Sequence, residues 1–365
     1  MSGVNRVNSN NQYNKGKVSF CVLGYKHVDF LEDCIRSIWN IEYDNIEIVA
    51  IDDGSDDGSV ELLNKLKSQS ECDFTVIAQK NSGIIGYNFN RALEKATGEY
   101  VSFISLDDIY DSEEMSVVIN KIVNEPKAAF IACTKIQGVT SDGKNKIDIE
   151  PVKVDEYDNP SISDILEMEY NNFWAFYLQG CVIRREIVNQ VNGFDEDLIG
   201  DDIILRTKIF KYLKNNSDYT FLLHRKSVVL YRRHDNNVSN NGARQMQIVS
   251  EYLDRYWSDR DSPELFFSWY YGVMTHENFL KLKVMNKKME SEYYKIMENF
   301  DFVSRMFFRL YRDFMNTLDS EKFRALNILY KDCKYKNMRM RILHMMFNFP
   351  FGITLLKLNK KLKNK

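Results

Sequence analysis

Over the first third of the chain, short apolar runs alternate with amphipathic stretches. "VSFCVLGY" (Val18–Tyr25) is a β-rich run, and "FLEDCIRSIWN" (Phe30–Asn40) then sets Phe30, Leu31, Cys34, Ile35 and Ile38 at helical spacing. A second strand is predicted over Ile46–Ile51, a helix in "VELLNKLKSQ", and a third strand over Phe74–Gln79. "GYNFNRALEKATG" reads as a third helix stopped by Gly98, and "EYVSFISLDD" as a fourth strand. This alternation predicts a doubly wound, mostly parallel sheet flanked by helices over roughly the first 130 residues. Ligands of such sheets bind beyond the carboxyl ends of the strands. Two carboxylate pairs, Asp52–Asp53 and Asp107–Asp108, fall at those ends and so share one rim.

Further along the pattern weakens. Residues Lys135–Asn159 read as polar loop, "GCVIRREIV" (Gly180–Val188) as a strand entering a helix, and "GFDEDLIGDDIILRTKIFKYL" as an acidic loop leading into another helix. "SVVLYRRHDNNVS" is a strand followed by a polar turn. From about Ala243 the sequence turns rich in Tyr, Phe, Met and Lys with helical periodicity. The expected organisation is a disordered polar lead-in (1–17), an α/β domain (18–242) and an α-helical C-terminal region (243–365).

Composition narrows the function classes. At 365 residues, 44% hydrophobic and 28% charged, the chain is an ordinary globular one, and a net charge of −3 provides no field for nucleic acid. The six cysteines form no CxxC pair, which argues against a zinc site and for reduced thiols in a cytoplasmic protein. No run of about 18 apolar residues is present. An oxidoreductase built on a similar sheet would need GxGxxG after the first strand, where this chain has "GYKHVD".

Four segments, "VSFCVLGYKHVDFLEDCIRSI", "IVAIDDGSDDGS", "NSGIIGYNFNRALEKATGEYVSFISLDD" and "NGFDEDLIGDD", occur in an order and spacing that resembles the GT-A glycosyltransferases, specifically the inverting family 2 that builds bacterial surface polysaccharides. The resemblance covers about Val18–Ser239. It implies a GT-A fold and transfer of a sugar from a nucleotide sugar, a UDP-sugar, to a glycan acceptor carried on a polyprenyl diphosphate, in O-antigen or capsule synthesis.

The resemblance also implies roles. Asp53, or second Asp52, would accept the N–H of the nucleobase, with Tyr25 packing on ring or ribose. Asp107, with Asp108 and His234, would hold a divalent cation, Mn²⁺ or Mg²⁺, which suits carboxylate oxygens and steadies a diphosphate leaving group. The family's Asp-x-Asp here begins with Ser105, a poor metal ligand. Asp202 would deprotonate the acceptor hydroxyl, with Asp201 beside it where relatives carry Glu. Trp174, Gln179, Gly180, Asp195 and Glu196 would line donor and acceptor sugars. Relatives place a cation in the first turn of the third helix. Arg91 comes later here, so the diphosphate would lean on metal and helix N-terminus. One of Arg232 and Arg233 would also face it.

The competing reading is a non-catalytic nucleotide-sugar binder or a membrane-associated assembly partner. The C-terminal "MRMRILHMMFNFPFGITLLKLNKKLKNK" mixes apolar and basic residues without an acid. Such a segment suits an anionic membrane surface and would place the protein on the inner face of the cytoplasmic membrane.

Overall fold

The computed structural model describes residues 13–149, 152–273, 287–318 and 320–348. The chain divides into two compact units, Met1–Asn237 and Val238–Lys365.

The first unit opens with β1 (Asn14–Gly24), α1 (Leu31–Trp39), β2 (Ile46–Asp52), α2 (Ser59–Gln69), β3 (Asp73–Ala78), α3 (Ile85–Lys95) and β4 (Gly98–Ser105). These strands pair in parallel in the order β3-β2-β1-β4. All seven residues of β2 are buried, as expected for a parallel strand covered on both faces. On one face Leu31, Ile35 and Ile38 of α1 meet Phe20, Val22, Ile48 and Ala50 in a single apolar cluster. Each of the larger of these side chains contributes roughly 1.5–3 kcal/mol by burial.

The unit continues with β5 (Ile109–Tyr110), α4 (Ser112–Val123), β6 (Ala128–Val139), β7 (Lys146–Ile147), α5 (Ile162–Asn172), β8 (Val182–Arg184), α6 (Arg185–Gln190), α7 (Asp202–Lys214) and β9 (Thr220–Arg232). The sheet is a mixed GT-A-like one. β8 inserts antiparallel between β4 and β6, β9 runs parallel to β6, and β5 closes the edge against β9.

Three local readings change. β1 starts at Asn14, inside the expected lead-in, because Lys17 reaches Asp73 at 2.7 Å and the Gly16 N–H donates to Glu99 at 2.8 Å. Residues 1–12 lie outside the described residues. β6 runs on to Val139, where loop was expected, because β7 and β9 pair with its second half. Gly98 does not stop α3, which ends at Lys95. It begins β4, and a Cβ there would stand 2.6 Å from the Lys17 carbonyl oxygen, so close approach of β1 demands the glycine.

The second unit is helical among its described residues: α8 (Gly242–Tyr256), α9 (Glu264–Val273), α10 (Lys287–Glu298), α11 (Phe300–Thr317), α12 (Ser320–Asp332) and α13 (Met338–Asn348). Phe302, Met306, Phe307 and Phe314 of α11 are buried, as are Ala325, Leu326 and Leu329 of α12. Among the described residues no helix is long and apolar enough to cross a membrane. The last part of the basic tail, 349–365, lies outside the described residues.

Candidate active site

Register fixes the rim. Gly24 pairs with Asp52, Asp52 with Ala78, and Leu23 with Ser105, so the loops after β1, β2, β3 and β4 leave the sheet at one level. The expected gathering of both Asp pairs on one rim is what the strand ends display.

The two residues of the first pair differ in what they hold. Asp53 is saturated. Its Oδ1 accepts from Gln79 Nε2 (3.0 Å) and the Ser82 N–H (2.8 Å), and its Oδ2 from Ser82 Oγ (3.3 Å) and the Gly83 N–H (3.0 Å). Buried Asn88 orients both Gln79 and Ser82. Asp52 is fully buried and spends Oδ1 on the Gly54 and Ser55 N–H groups, while its Oδ2 is buried with no hydrogen bond. Of the two, Asp52 keeps an acceptor in reserve. Neither caps α2, whose N-cap position is Gly58. Tyr25 stands 45% exposed in the first rim loop, with Lys26 over its ring.

At the second pair two imidazoles converge on one carboxylate. His234 Nε2 lies 3.0 Å and His27 Nε2 3.8 Å from Asp107 Oδ2, while Asp107 Oδ1 is buried without a hydrogen bond. Burial works to raise the Asp107 carboxyl, but His234, His27 and the Ser105 hydroxyl outweigh it and hold the pKa below the usual range. His27 is pushed down by burial, so it is neutral at pH 7, and its Nδ1 has no partner. Phe30 stacks on His234 at 4.8 Å.

Asp108 behaves oppositely. Burial, then the neighbouring Asp107 charge, push its pKa well up, against the Arg232 N–H that donates to Oδ1 at 2.8 Å. α4 takes its cap from Asp111, so neither carboxylate of the pair is spent there.

Arg232 builds this turn. Its buried guanidinium donates to the Asp107 carbonyl (2.8 Å), the Ser141 carbonyl (2.5 Å) and Asp33 Oδ2 (2.7 Å). It therefore shapes the loop, which of the two arginines leaves Arg233 for the diphosphate.

Asp202 opens α7, and Asp201 precedes it without capping the helix. Asp202 Oδ2 receives the Leu178 N–H (3.4 Å) and the Arg206 guanidinium (3.3 Å). Dense surroundings raise its pKa, and Arg206 and the Leu178 N–H oppose that rise. The carboxylate still keeps 37% of its side-chain surface open, enough to meet a substrate. The next residue, Gln179, borders Asp108, close enough to favour its ionised form though not in hydrogen-bonding geometry. The dipeptide Leu178–Gln179 thus lies between the two acidic sites, with its one hydrogen bond to them at Asp202.

Trp174 is 41% exposed, while Phe176, two residues on, is core, against Phe130 and Phe210. Gly180 has φ +79° and packs on Val228 and Val229, a backbone reason for glycine. Asp195 is held by Lys208 at 2.7 Å, and Glu196 by Asn90 at 2.9 Å. Arg91 donates to the Tyr87 hydroxyl at 3.4 Å on its own helix, and no hydrogen bond links it to the Asp pairs.

His27, Phe30, Glu169 and Arg206 were not expected. Arg206, four residues after Asp202 in a helix, was open to detection by spacing. A histidine in the first rim loop was a visible hint. Glu169 left no signal in the sequence.

Comparison with known proteins bears on the fold. Residues 19–191 match the family model Glycosyl transferase family 2. An uncharacterized glycosyltransferase of Nostoc sp. is 28% identical over 183 residues, 49% of this chain and 54% of that protein. Glycosyltransferase GlyA of Streptococcus pneumoniae is 30% identical over 200 residues, 53% of this chain and 28% of that protein. The chain therefore spans about half or less of the length of these relatives. The crystal structure of Staphylococcus aureus TarS residues 1–349 in complex with UDP-GlcNAc superposes with a TM-score of 0.52 at 16% identity, over 88% of this chain and 93% of that one. The fold is that of a GT-A glycosyltransferase domain, followed by a helical region.

Proposed function

We propose that the protein is an inverting glycosyltransferase that moves a sugar from a UDP-sugar to a glycan acceptor on a polyprenyl diphosphate, in synthesis of a surface polysaccharide such as O-antigen or capsule. The observation that carries the reading is the Leu178–Gln179 dipeptide. It sets an open carboxylate of raised pKa, Asp202, next to a buried carboxylate rim, as displacement at an anomeric carbon requires. Asp53 or Asp52 takes the base N–H; the chain itself fills the Asp53 carboxylate, and Asp52 Oδ2 is buried without a hydrogen bond. Tyr25 packs against the nucleoside. Asp201, Trp174 and Gln179 face the sugars. The UDP-GlcNAc bound to TarS supports the choice of nucleotide.

The residues fit a divalent cation in part. Among the described residues no group of three or more His, Cys, Asp or Glu is arranged as a metal cage. Asp107 nevertheless offers a buried oxygen without a partner, and His234 an imidazole beside it. Magnesium and manganese bind through one or two carboxylates plus substrate phosphates. Asp107 and His234 would hold the ion, Mn²⁺ or Mg²⁺, and Asp108, tied to the Arg232 N–H, would support it from behind. When bound, the ion neutralises charge on the departing diphosphate.

A screen of UDP- and GDP-sugars with and without Mn²⁺, read by nucleotide release, tests the assignment. Release from a UDP-sugar in the presence of Mn²⁺ is the expected result. UDP binding without release from any donor would instead identify a non-catalytic nucleotide-sugar binder.

α13 supports a peripheral place on the cytoplasmic face of the membrane. It exposes Met338, Ile342, Met345 and Met346 beside Arg339 and Arg341, and carries no acid. Apolar and cationic groups together suit an anionic headgroup layer. Truncation after Tyr335 is expected to release the protein from phosphatidylglycerol-containing liposomes in a co-sedimentation assay. Unchanged sedimentation would remove the membrane from the proposal.

A further inference from the structure

Arg206 is a fully buried cation whose three nitrogens point at two acids. Nε and one terminal nitrogen donate to Glu169 at 2.7 and 3.1 Å, and the other terminal nitrogen reaches Asp202 Oδ2 at 3.3 Å. Glu169 lies on α5 with no solvent exposure, and Arg206 is 2% exposed. A bidentate, charge-assisted contact is the stronger kind, so the guanidinium's charge is spent mainly on Glu169.

We infer that Glu169 is a positioning residue for the proposed base: by holding the fork of Arg206, it leaves Asp202 with a single long contact to that guanidinium, a carboxylate free to take a proton rather than half of a closed salt bridge. This rests on Asp202 being the base. A base acts best when its pKa lies near the working pH, and a bare guanidinium alongside would pull it away. The groups facing this cluster are Arg206 on α7, Glu169 on α5, the Leu178 N–H ahead of β8, and the Cys181 thiol, which acts on Arg206. Burial and the Asp202 charge raise Glu169 while Arg206 lowers it, so the three side chains form one electrostatic unit.

The sign follows. With Glu169 replaced by Gln, Asp202 loses a nearby negative charge and gains the full attraction of Arg206. Its carboxyl then stays ionised to lower pH. The test is a titration of the full chain labelled with ¹³C-aspartate, with the Asp202 carboxyl resonance assigned by its loss in Asp202→Asn. Glu169→Gln is expected to move that midpoint down by about one pH unit, the scale of a charge within hydrogen-bonding range. Where UDP-sugar turnover is measurable, the acid limb of the rate profile moves with it and the plateau rate falls. A purely structural role for Glu169 leaves the midpoint in place, and an unmoved midpoint overturns the inference. If Glu169→Gln does not accumulate as folded protein, Glu169→Asp loosens the same fork. It is expected to show a smaller downward shift, and no shift there overturns the inference equally. A shifted midpoint with full turnover in Asp202→Asn would instead sink the base assignment and leave the coupling standing.

Discussion

Replacing Asp202 by Asn is expected to lower turnover by about 10²- to 10⁴-fold, the usual contribution of a positioned general base. UDP affinity should hardly change. The substitution keeps the size of the side chain and removes only its charge. Arg206 keeps its two bonds to Glu169, so no buried cation is orphaned and the fold should survive. This separates the variant from one that merely unfolds. Steady-state rates with the active UDP-sugar, alongside calorimetric UDP binding, make the comparison. Near wild-type turnover would take Asp202 out of the role.

The second large effect is expected at Asp107. Changing it to Ala should weaken UDP binding in the presence of Mn²⁺ by at least the roughly 10- to 100-fold that losing even an outer partner of a metal costs. Binding without Mn²⁺ should change far less. The contrast matters because Asp107 also offers a backbone carbonyl to Arg232, and that contact persists in the variant. The loop should therefore hold its place while the carboxylate is lost. Relief of like-charge repulsion should also let Asp108 ionise at lower pH. Calorimetry with UDP, with and without Mn²⁺, reads the effect. A metal dependence equal to that of the unaltered chain would show that the ion, if used, sits elsewhere.

How much of this was legible follows from where the information lies. Asp52 and Asp107 end buried apolar runs, and a continuous apolar strand followed by carboxylates places both on the rim without any tertiary knowledge. The filling of the Asp53 carboxylate from within the chain was not readable. It depends on Gln79 and Gly83, 26 and 30 residues further on, which fill the Asp53 carboxylate. The choice between Arg232 and Arg233 was equally hidden, since the Asp107 carbonyl that Arg232 holds is 125 residues away. Gly98 sits where a helix stop is expected, yet the constraint on it comes from the backbone of β1. Composition and spacing thus carried the layout of the site. The allocation of its hydrogen bonds belongs to long-range packing.

The saturated carboxylate of Asp53 has a consequence for binding. By clasping Ser82 and Gly83, it fastens the loop after β3 to the end of β2 within the folded chain. That loop is ordered at the expense of folding, so a nucleotide bound as proposed need not immobilise it. Preorganisation of this kind leaves more of the contact energy available as affinity. The firmness of this loop therefore depends on Asp53.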